Sequence, residues 1–170
     1  MPITYDAIST VTLGSNTSSI NITSLPTSYT DLRLVIWAGN AGGANDMLLR
    51  FNSDSTNNYA YMQMGSTFSN TGGGWNNNMT YIYTGGLTDW TSGTPGNTTG
   101  IIVDIFSYRS GNRKVVLGTA VENMNPYSNL WQRVRIGQWF SGSAITSLTL
   151  SSPTNINAGS KISIYGIARA

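Results

Sequence analysis

Between Ile145 and Ile167 the chain alternates twice, and this pattern constrains the fold more than any other in the sequence. Leu148 and Leu150 alternate with hydroxyl residues, residues 153–160 supply turn chemistry, and Ile162 and Ile164 alternate again. A period of two belongs to strands with one face on a core and the other toward water. The reading is two half-buried strands joined by a polar loop. The same idiom recurs along the chain, and no segment of ten or more residues holds a 3.6-residue period. We therefore expect an all-β fold: a single-domain antiparallel β-sandwich over residues 1–170, following a jelly-roll path. A sequence that closes on a packed strand is expected to be self-contained.

Composition agrees. Only 9% of the 170 residues are charged, against a usual share of about 25%. Ser, Thr, Asn and Gly carry the solvation instead, which suits strands, tight turns and broad contact surfaces. A chain of this size buries about 70% of its unfolded surface and needs no staple. The net charge of +2 is a small difference between nine cations and seven anions. Those cations form no run, so a nucleic-acid footprint is not expected. Cysteine is absent, so no disulfide framework or thiolate metal site can be drawn. No apolar stretch approaches 18 residues, and the first residues lack a charged segment followed by an apolar one. Neither a helical membrane span nor a cleaved leader is expected.

Ten strands or so can be placed. The most convincing, Asp31-Leu-Arg-Leu-Val-Ile-Trp-Ala38, puts Leu32, Leu34 and Ile36 on one face and Arg33, Val35 and Trp37 on the other. Ile101, Val103 and Ile105 should face the core, and residues 109–112 should turn that strand into a hairpin with the next. Residues 65–78 and 84–100 read as two long irregular loops. The first has Phe68 and Trp75 as its large apolar groups, and the second has Leu87 and Trp90. Ordering 14 residues at about 1–2 kcal/mol each exceeds what a buried Trp returns. Such a loop stays mobile or is ordered by a partner.

Reactive chemistry is scarce. No histidine is present, which removes the usual general base near neutral pH and the commonest zinc ligand. Asp31, Asp46, Asp54 and Glu122 read as solvated acids at strand ends or turns, so we expect no enzyme, catalytic residue, metal site or cofactor. Residues 52–58 supply oxygen ligands but one carboxylate, and read as a solvated turn rather than a calcium loop. Asp104 interrupts an apolar strand, and its expected partner is an arginine on a neighbouring strand, such as Arg113 or Arg135; a buried acid in a subunit contact is the alternative. Arg133 and Arg135 share a face beside Trp131 and Gln132. That face is either solvated or an interface rich in Arg and Trp.

The segments Ile8-Ser-Thr-Val-Thr-Leu-Gly-Ser15 and Ser19-Ile-Asn-Ile-Thr-Ser-Leu-Pro-Thr-Ser-Tyr-Thr-Asp-Leu-Arg-Leu-Val35 resemble small structural proteins of tailed bacteriophages, notably those of cyanobacteria. Arg50-Phe-Asn-Ser-Asp54, Asn58-Tyr59 and the ending with its Tyr-Gly-Ile are similar to the same group. Residues 65–100 fit it poorly. The resemblance implies a virion surface protein, either a capsid decoration (cement) protein or a tail-fibre module. It implies no catalytic residue. The partners expected are the chain itself, as a homotrimer, and the major capsid protein, with neither nucleic acid nor membrane. Phe68, Trp75, Trp90, Tyr127, Trp131, Arg133 and Arg135 are the interface candidates. Under the tail alternative, a receptor- or glycan-binding tip, Trp75, Trp90 and Tyr127 would stack on sugar rings.

Overall fold

The computed structural model describes residues 4–43, 45–66, 71–88, 99–124 and 129–168. Among these there are only strands and turns. In chain order the strands are β1 (Thr4–Thr12), β2 (Thr17–Ile22), β3 (Asp31–Ala38), β4 (Asn40–Ala41), β5 (Asn45–Phe51), β6 (Tyr59–Ser66) and β7 (Thr71–Met79). Then follow β8 (Ile82–Leu87), β9 (Thr99–Phe106), β10 (Lys114–Met124), β11 (Asn129–Trp139), β12 (Leu148–Ile156) and β13 (Lys161–Ala168).

They form two antiparallel sheets, a β-sandwich as expected. The larger has eight strands in the order β1-β13-β3-β9-β10-β11-β6-β7. The smaller has the order β2-β12-β5-β8, with β4 alongside β12. A jelly roll divides eight strands between two sheets; here eight lie in one sheet and five in the other. The β9–β10 hairpin forms as read, with Val115 opposite Phe106 and Val116 opposite Ile105.

Alternation placed the core correctly. Leu32, Leu34 and Ile36 of β3 and Ile101, Val103 and Ile105 of β9 are buried, as are Ile162 and Ile164 of β13. They meet Met47, Leu49 and Phe51 of β5 and Leu148 and Leu150 of β12 across the sandwich. Burying one such aliphatic side chain stabilises the fold by about 1.5–3 kcal/mol, so this layer is its main support. The two alternating stretches at the end of the sequence do not pair with each other. β12 pairs with β2 and β5, and β13 pairs with β1 and β3, so the turn between them crosses from one sheet to the other.

The first long loop is largely strand. β7 pairs with β6 along its length, from Ser66 opposite Thr71 to Tyr59 opposite Met79. Backbone hydrogen bonding to a neighbour orders this Gly- and Asn-rich run, which side-chain burial could not do. The start of the second loop is also strand, since β8 extends to Leu87, which is buried.

Close packing holds β8 against the large sheet. A Cβ on Gly118 of β10 would lie 2.8 Å from the Thr84 carbonyl oxygen of β8. One on Gly137 of β11 would overlap Ile82.

Candidate interaction surface

Two features emerge around the predicted residues, on opposite faces of the large sheet. The inner one is a charged cluster. Trp131, Arg133 and Arg135 of β11 lie on the inner face, where the start of β5 and Tyr83 of β8 meet the two arginines. Arg135 is 1% exposed, and its Nη2 donates to Asp46 Oδ1 at 2.7 Å. Arg133 Nε forms an ion pair with Glu122 Oε1 at 3.1 Å, and its Nη1 donates to Asp46 Oδ1 at 3.5 Å. The Gly86 N–H donates to the same Glu122 oxygen at 2.9 Å. The guanidinium of Arg133 stacks on Trp131 and that of Arg135 on Tyr83.

Glu122 and Asp31 are therefore not solvated punctuation: both are buried. Burial pushes the Glu122 carboxyl above its usual range, while Arg133, Gly86 N–H and Arg135 pull it back. Arg133 and Arg135 do share a face, but it is the face of the sandwich interior. Alternation alone could not say which side of the strand the small sheet would cover. Arg135 Nε and Nη1 find no hydrogen-bond partner among the described residues. Chemically the cluster is an electrostatic clamp between sheets, with guanidinium groups occupying the acids.

Other acids are likewise engaged. Asp104 pairs with Arg33 rather than Arg113 or Arg135, because β3 lies on the far side of β9 from β10 and sets Arg33 directly opposite. The pair is bidentate, Nε–Oδ1 2.6 Å and Nη2–Oδ2 2.8 Å. Asp54, in the turn between β5 and β6, accepts from Thr56, Asn58 and Trp139 Nε1.

The outer feature is an apolar face. Registers align Val35, Ile102, Thr119, Val134 and Met64 in one row across β3, β9, β10, β11 and β6. Leu117, Ile136, Met62 and Trp75 form the next row. Val35, Ile102 and Ile136 are each 40% exposed, Met64 54% and Trp75 68%. Trp37, Val115, Val121 and Leu130 extend the face. Arg33 and Asp104, standing within it, neutralise each other. Strands about 4.8 Å apart and cross-strand rows about 7 Å apart give it roughly 400 Å² in projection. A patch of that order is about the largest that a typical monomer exposes, and such patches are often functional. A groove of about 540 Å³ runs along it between Met64, Gly73, Gln132 and Val134.

Of the predicted interface residues, Trp75 alone lies on this face. Trp131, Arg133 and Arg135 belong to the inner cluster, and Phe68, Trp90 and Tyr127 lie outside the described residues. The sequence did carry a signal for the face. Ile101-Ile-Val-Asp-Ile-Phe106 and Lys114-Val-Val-Leu117 are apolar on both parities, the mark of strands covered on both sides. Comparison with protein-family profiles and with curated proteins finds no match to this chain.

Proposed function

We propose that this protein is a phage virion structural protein. In this reading it is a decoration protein that binds the outer capsid surface as a homotrimer and reinforces the shell. The observation that carries the proposal is the exposed apolar face of the large sheet, whose burial against a macromolecular surface would be favourable. The resemblance of the terminal segments supplies the phage context. A trimer presents three such faces at once, so contacts that are weak singly combine through effective concentration. Closed symmetry also suits the three-fold positions that a capsid lattice offers.

The test is cosedimentation of purified protein with emptied phage heads, alongside mass photometry of the free protein. Binding by a species three times the monomer mass is the expected result. A monomer that leaves the heads bare sinks the proposal. One observation favours a second reading: Trp75 stands 68% exposed at the margin of the face, as an aromatic platform for a sugar ring would. Label on tails instead of heads in micrographs of antibody-treated virions would favour that tail-tip reading.

A further inference from the structure

Among the described residues, the outer edge of β7 is an unguarded strand edge. Among the described residues β7 pairs with β6 and with nothing on its other side. Residues 72–78 are all exposed, whereas β8, at the edge of the small sheet, is almost wholly buried. Unpaired edges are ordinarily guarded by charge, proline or a covering segment. β7, Thr-Gly-Gly-Gly-Trp-Asn-Asn-Asn-Met, has neither a charge nor a proline. Among the described residues no strand lies beside its outer N–H and C=O groups, which offer a template for another strand.

The opposite edge of the same sheet fits it. β1 is also nine residues long and carries a single charge, Asp6, so no like charges would face each other. Direction fits as well. All seven pairings across the eight strands are antiparallel, so β1 and β7 run in opposite senses. Laying β7 of one copy beside β1 of an identically oriented copy therefore continues the alternation. Such a contact is heterologous, and it closes into a ring when each joint also adds a fixed rotation about an axis running along the strands.

We propose that β7 of each copy pairs with β1 of the next, closing a head-to-tail ring in which the apolar outer faces share one side of the continuous sheet wall. The proposal deepens the self-association part of the reading above and rests on it, but not on the capsid.

The test blocks each edge separately. A Cβ at Gly72 or Gly74 meets nothing within 4 Å, so Gly72→Lys/Gly74→Lys charges the β7 edge without disturbing the fold. Ala7→Lys/Thr12→Lys charges β1 at two exposed positions. By mass photometry, wild type should be a closed oligomer and each double variant a monomer. An equimolar mixture should give dimers, because one intact β7 and one intact β1 remain. The neutral Gly72→Ser/Gly74→Ser variant should keep the wild-type mass. Thermal melts check folding, and Asn77→Lys serves as a second β7 block should the double variant melt early. A monomeric wild type, a β7-blocked protein of wild-type mass, or a mixture that stays monomeric would overturn the joint. So would a β1-blocked protein that still assembles, which points to β7 pairing with itself. Rings that ignore emptied heads would leave the joint standing and remove the capsid reading; monomers that bind heads would do the reverse.

Discussion

Asp54 shows what a single carboxylate does in a sparsely charged chain. It sits in the turn that carries the chain from the small sheet to the large one and ties it to Trp139 at 2.7 Å. Trp139 in turn packs on Phe51 and Tyr59, ring centroids 5.5 and 6.3 Å away. Burial pushes the Asp54 carboxyl up, but hydrogen bonds from Thr56, Trp139 and Asn58 outweigh it and bring the pKa down to about 2. A depressed folded-state pKa contributes stability above the unfolded value, about 3.9, and loses it as pH falls through the folded value. Stability should therefore decline between about pH 4 and pH 2. Asp54→Ala should flatten that acid limb in urea titrations at stepped pH. It should also cost about 1–3 kcal/mol at neutral pH, since the buried Trp139 N–H loses its acceptor.

Strands reveal how far alternation can be pushed. Core positions in β3, β9, β12 and β13 were legible, because each has one face that is consistently aliphatic. Which strands pair was not. Leu148–Leu150 and Ile162–Ile164 carry the same pattern, and nothing in it records that they enter different sheets. In sequence β7 reads as a loop because its glycines and asparagines disfavour strands by propensity, while backbone pairing with β6 decides the matter. Arg135 was legible as a strand residue but not as an interior one, since a guanidinium is usually solvated. Phe68, Trp90 and Tyr127, chosen as aromatics in loops, fall outside the described residues. Glycine is the element-scale device that lets β8 lie on the large sheet. Gly118→Ala puts a methyl 2.8 Å from a backbone oxygen that no rotamer change can move aside. Overpacking of this kind costs about 1–3 kcal/mol. Denaturant unfolding should show that loss, with weaker hydrogen-exchange protection in β8 than elsewhere.

Across the whole molecule, the proposed function assigns stability and binding to different surfaces. The inner faces hold the fold together, and in the proposed reading the exposed apolar residues on the outer face of the large sheet meet the partner. Ile102→Lys and Ile136→Lys lie on that outer face, each 40% exposed. Surface changes of this kind usually move stability by no more than about 0.5 kcal/mol. The double variant should melt close to wild type yet lose cosedimentation with emptied heads. If it still binds, some other surface meets the shell.

The pairing of β1 with β13, Thr4 opposite Ala168, joins segments far apart along the polypeptide. While a ribosome is making the protein, β1 has no neighbour and the near side of β3 stays open until β13 emerges. Completion of the sheet is thus deferred until β13 has been made, and closing so long a loop is slow. A nascent chain stalled before β13 would offer chaperones, or its own siblings on a polysome, a bare strand rich in Leu and Ile.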